Sequence, residues 1–189
     1  MEAEHFEIDK MHAAHRQLNM AIRLHFEGDD PVAVLALTGG ATRIFADLIE
    51  HRNLERSWDR RAREVVGLSK AEYFRALRDP TNFLKHADDD PDEVLHWSVE
   101  DTEALMITAV MNAVELDDLS PTSVVYQFWY VAKHRHIFSP TFEAGNRATD
   151  IFPGIQQMSV AEQRAAGLRR LYKFQADLAA DPNLDRLMP

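Results

Sequence analysis

The chain has 189 residues, 46% of them hydrophobic, with 21 Lys and Arg against 31 Asp and Glu for a net charge of −10. That length suits one compact domain, and the apolar content is too high for a disordered chain. Cys is absent, which excludes disulfides, zinc thiolates and a thiol nucleophile.

Helical spacing dominates from the start, and no stretch alternates with a period of two. Met11, Ala14, Leu18, Ala21, Ile22 and His25 recur at steps of three and four, predicting a helix over residues 8–26 with one buried stripe. Gly28-Asp29-Asp30-Pro31 reads as a stop and a new start. Gly supplies a left-handed C-terminal residue, Asp30 accepts from free amides, and Pro31 fits a first helical turn. The helix that follows, about 32–50, is apolar almost all round and belongs at the centre of the core. Within it, Thr38-Gly39-Gly40-Ala41-Thr42-Arg43 has the small residues of a phosphate cradle, but no strand precedes it and the Walker lysine is missing. Close approach of a neighbouring helix explains the glycines better, against a helix-propensity cost of about 1 kcal/mol each relative to Ala.

Capping boxes predict further starts at Ser69 with Glu72 and at Ser159 with Glu162. Ser98 with Asp101 opens a helix to about Glu115, and Ser120-Pro121 opens one to about His136. Pro80 breaks or bends the helix begun at Ser69. Residues 139–158 hold Pro140, Gly145, Pro153 and Gly154 and read as an irregular connection. The expected architecture is all-α, a single bundle of six or seven helices. Its core spans 1–138, and residues 159–189 form a last helix and tail of the same domain.

Charge is unevenly spread. Residues 52–85 contain nine Lys and Arg against five Asp and Glu, whereas residues 87–132 contain eleven Asp and Glu and no Lys or Arg. Two such segments either pack together or offer a charged surface to a partner. A pI near 5.3 argues against general coating of nucleic acid. The most apolar stretch, Ala104 to Val114, is too short to cross a bilayer. Glu2, Glu4 and Asp9 stand where a secretory leader would be basic and then apolar. The expectation is a cytoplasmic protein without a membrane partner.

The most distinctive segment is Asn82-Phe-Leu-Lys-His-Ala-Asp-Asp-Asp-Pro-Asp92. Lys85 and His86 suit a last helical turn, where cations oppose the helix dipole. The alternative is chemical: His86 exchanges protons near neutrality, and Asn82 lies one turn before it on the same face. The following acidic run fails as an EF-hand loop, because Glu93 and Val99 occupy the Gly and Glu positions counted from Asp88.

The string NFLKHADDDPD resembles a signature of short, uncharacterised bacterial all-helical proteins, and the likeness covers roughly residues 10–95. It implies a fold and no activity. The segment is also similar to HEPN domains, helical bundles that often act as metal-independent RNases, whose motif joins an Arg, frequently followed by Asn, to a later His. Asn82 and His86 match the end of that motif. Thr81 stands where the family has Arg, and Arg78 is the nearest substitute, separated from His86 by Pro80. The resemblance implies Asn82, His86 and Arg78 as catalytic candidates and RNA as the substrate.

Nine His raise the question of a bundle metal site. His12 with His15, Asp47 with His51 and Glu93 with His96 have one-face spacings, but they do not assemble a di-iron motif. No metal or cofactor is expected. Val125, Phe128, Trp129 and Ala132 should be core. Tyr126, Tyr130 and His134 form an adjoining stripe, candidates for a ligand pocket or for a Tyr-rich contact with a partner or second copy. Without a complete catalytic constellation, the leading expectation is a protein that acts by binding or self-association, as a homodimer. The rivals are a HEPN-like RNase and a metal-dependent bundle oxidoreductase.

Overall fold

The computed structural model describes residues 5–52, 60, 63–64, 67, 69, 72, 80–86 and 91–181. Six α-helices are delimited among them: α1 (Lys10–Glu27), α2 (Pro31–Arg52), α3 (Val99–Glu115), α4 (Pro121–Lys133), α5 (Glu143–Ile151) and α6 (Val160–Ala180). Two short 3₁₀ turns, Arg135–Ile137 and Ile155–Gln157, link the last three. The fold is all-α, and no strand occurs among the described residues.

The punctuation acts as its chemistry dictates. Asp9 caps α1 by accepting from the His12 N–H at 2.8 Å, and Gly28 ends it at φ 74°, a left-handed conformation that suits a residue without Cβ. Asp30 accepts from the Val32 N–H at 2.8 Å, and Pro31 is the first residue of α2. Reciprocal capping boxes open α3 at Ser98 and α6 at Ser159. The Ser69–Glu72 box forms as well, with bonds of 3.0 and 3.3 Å.

α2 lies between α1 and α3, its main neighbours in the core. It has 22 residues and a mean hydropathy of 1.6 over its most apolar window, long and apolar enough by composition to cross a membrane. Half of that window is buried inside the protein. Ala104–Val114 is therefore not the stretch that best resembles a span; α2 is. The reason is additive: Gly, Ala and Thr contribute little polarity, so a helix without large apolar side chains throughout still passes for one that has them. The two glycines of α2 admit close neighbours. A Cβ on Gly39 would run into the Thr81 side chain, and one on Gly40 would meet the Gln17 carboxamide. The packing reading of this segment holds. Arg43 is held by Asp47 at 2.8 Å on the surface.

Three boundaries differ from expectation. α4 stops at Lys133 and continues as the 3₁₀ turn, short of His136. Residues 139–158 are not irregular, since they contain α5 and the second 3₁₀ turn. The cause is tertiary. The Arg135 guanidinium donates to the carbonyls of Phe138, Ser139 and Pro140 and to Asn146 Oδ1, at 2.9–3.1 Å, which gathers the chain around it. Buried Gly145 and Ala148 then seat α5 against α4. Finally, Glu93 to Ser98 is not helical, so Glu93 and His96 do not share a helix face.

Candidate functional site

Local rules put a carboxylate into the second turn of α3. Glu103 follows the register of Met106, Val110 and Ala113, all buried, so the helix carries it inward with them. It is 1% exposed. A buried carboxylate needs partners, and two other helices supply them. Lys133, the last residue of α4, donates to Glu103 Oε2 at 2.6 Å. His25, on the buried stripe of α1, places Nε2 3.4 Å from Oε1, close enough for charge interaction but poorly aligned for a hydrogen bond. His134 Nε2 lies 3.8 Å from Oε2, at the outer edge of the cluster.

Aromatic side chains of α4 wall this cluster. The Tyr126 hydroxyl is wholly buried and donates to the Glu103 carbonyl at 3.0 Å. The Trp129 indole N–H donates to the Gln163 carbonyl at 2.8 Å, tying α4 to α6. The Lys133 ammonium sits 5.1 Å from the centre of the Trp129 ring, a cation–π distance. Tyr130 packs against His134 with ring centres 4.4 Å apart and the planes tilted by 38°. Trp129 and Tyr126 also pack edge-on against the His25 ring.

The electrostatics follow from burial. Desolvation pushes the His25 imidazole down to about 4, aided by the Arg164 and Lys133 charges and opposed by Glu103. Burial alone would raise the Glu103 carboxyl. His134, the hydrogen-bonded Lys133 ammonium and the His25 ring outweigh it and hold the carboxyl below its ordinary value. Desolvation and the Glu103 charge raise both the Tyr126 and Tyr130 hydroxyls, Tyr126 by much more. At neutral pH the cluster is thus an ionised Glu–Lys pair beside a neutral His. A cleft at His25, bordered by Asp29, Thr102 and Arg164, leaves about 10 Å³, room for one water and no larger substrate.

The expected site residues are distributed as follows. Tyr126, Tyr130 and His134 do converge, but around Glu103. The Tyr126 hydroxyl is consumed within the core, so its tip does not reach a ligand pocket. Asn82 and His86 are exposed, and the Asn82 carbonyl accepts from the His86 N–H at 3.1 Å, one helical turn apart. Arg78 lies outside the described residues. His12 bonds Asp9, whereas His15 turns inward to Asp118 at 3.2 Å and to the Phe45 ring. No group of three or more His, Asp or Glu able to hold a metal ion occurs among the described residues. Sequence reasoning missed Glu103 and Lys133. The available signal was Glu103 at a buried register of α3, and Lys133 ending the aromatic stripe of α4.

Comparison with family models, with curated proteins and with solved structures finds no match to this chain.

Proposed function

We propose that the protein acts by binding, as a homodimer, and that its core charge cluster organises packing rather than turnover. The sealing of Glu103 carries this reading. Glu103, Tyr126 and His25 are buried, Lys133 completes the Glu103 carboxylate, and the cleft beside His25 has room for about one water. Contact surface, by comparison, is plentiful. Phe6 and Ile8 stand two residues apart on the non-helical segment before α1, with Phe6 77% exposed. Apolar side chains presented this way are available for association. Light scattering across a concentration series should give twice the 21.6 kDa chain mass, falling to one chain in Phe6→Asp/Ile8→Asp. A single-chain mass at every concentration would overturn the proposal.

One observation favours a second reading. Asn82 and His86 are both solvent-accessible and a turn apart, the relation a HEPN-like, metal-independent RNase requires of its Asn and His. In that reading Arg78 supplies the charge that stabilises the transition state. RNA cleavage that persists in chelator and disappears in His86→Ala would establish it, and an inert wild-type protein would remove it.

A further inference from the structure

A second cavity, remote from Glu103 along the chain and built from other residues, opens between the 151–158 turn and α6. Its volume is about 310 Å³, the lower end of the range of roughly 300–1,000 Å³ typical of small-molecule sites. Phe152, Ile155, Met158 and Ala166 make its floor apolar, with Phe152 and Ile155 themselves buried. The rim is cationic. Arg169, Arg170 and Lys173 all border the cavity, and with Ala166 they follow the i, i+3, i+4, i+7 spacing of one helical stripe.

That rim is unusual in a chain of net charge −10. Lys173 bonds Asp177 at 3.1 Å, but Arg169 and Arg170 make no hydrogen bond or ion pair among the described residues. Two guanidinium groups without partners among the described residues, over an apolar floor, complement a molecule with one anionic end and one hydrocarbon end. A concavity of this volume, open to solvent on one side, accommodates a single chain, whereas a peptide helix would need a longer groove.

We propose that this cavity binds a monomeric alkyl carboxylate, its chain on Phe152, Ile155 and Met158 and its headgroup on Arg169 and Arg170. Arginine suits the headgroup because its planar fork matches a carboxylate with two parallel hydrogen bonds. The proposal is independent of the oligomeric state and of the fate of the Glu103 cluster.

Calorimetric titration of the full chain with decanoate, below its micellar concentration, tests it. Saturable binding of one decanoate per chain is expected. Affinity should fall at least tenfold for decanol, which lacks the charge, and at least tenfold in Arg169→Gln/Arg170→Gln. Ala166→Trp, which fills the floor, should abolish binding while the circular dichroism of the protein is retained. Absence of saturable decanoate binding would overturn the proposal. So would equal affinity for decanol, an unaffected double variant, or association only with vesicles of anionic lipid.

Discussion

Glu103 shows how one side chain can bind three helices together while remaining costly on its own. Its carboxylate is stable in the core because Lys133 completes it at 2.6 Å, and the pair as a whole is worth less than either partner's loss. Breaking a buried pair strands the remaining charge, at about 3 kcal/mol or more, whereas replacing both partners by apolar groups is often neutral or favourable. Glu103→Gln is therefore expected to lower stability by about 3 kcal/mol. Glu103→Met/Lys133→Met should regain most of that loss. Urea midpoints of the single and double variants measure the difference directly, and a double variant no better than the single would show that the pair itself stabilises the fold.

The glycines of α2 make two opposite tests of helix packing. Gly39 faces Thr81, whose β-branched side chain cannot swing away from an added methyl, and Thr81 is itself buried. Gly39→Ala should destabilise by about 1–3 kcal/mol, as overpacking does. Gly40 faces the mobile end of Gln17, so Gly40→Ala should gain up to about 1 kcal/mol of helix propensity once the carboxamide rotates. Thermal melts of the two variants should move in opposite directions. Legibility in the sequence divides at the same level. Helix starts at Pro31, Ser98, Ser120 and Ser159 were readable because each is fixed by a cap within four residues. α5 was not readable, because Arg135 organises its approach from outside the segment. The Glu103–Lys133 pairing was equally hidden: it joins α3 to α4 through space, and spacing rules describe only what lies along one helix. The stripe of Tyr126, Tyr130 and His134 was visible, but its inward direction depended on a carboxylate that periodicity alone marks as merely misplaced.

Taken together, the buried titratable groups give the molecule a defined acid response. His25 is an imidazole whose folded value, about 4, lies below the ordinary 6.5. As pH falls through 6.5 the unfolded chain takes up a proton that the native state refuses until about 4, so stability is full above 6.5 and is lost across that window. The loss should amount to about 3 kcal/mol. The depressed Glu103 carboxyl adds in the same sense at lower pH, its contribution present above the unfolded carboxylate value and lost as pH falls through the folded one. Urea midpoints at pH 7, 6, 5 and 4 should decline steadily in the wild type and flatten above pH 5 in His25→Gln. An unchanged slope in the variant would place the acid sensitivity elsewhere.

The order of α1, α2 and α3 along the chain also shapes how the protein is born. α2 ends at Arg52, but α3, which covers its other flank, starts only at Val99. Since ribosomes add roughly 5–20 residues per second, a nascent chain carries α2 without its α3 neighbour for several seconds. During that interval a chaperone or a neighbouring nascent copy can shelter it.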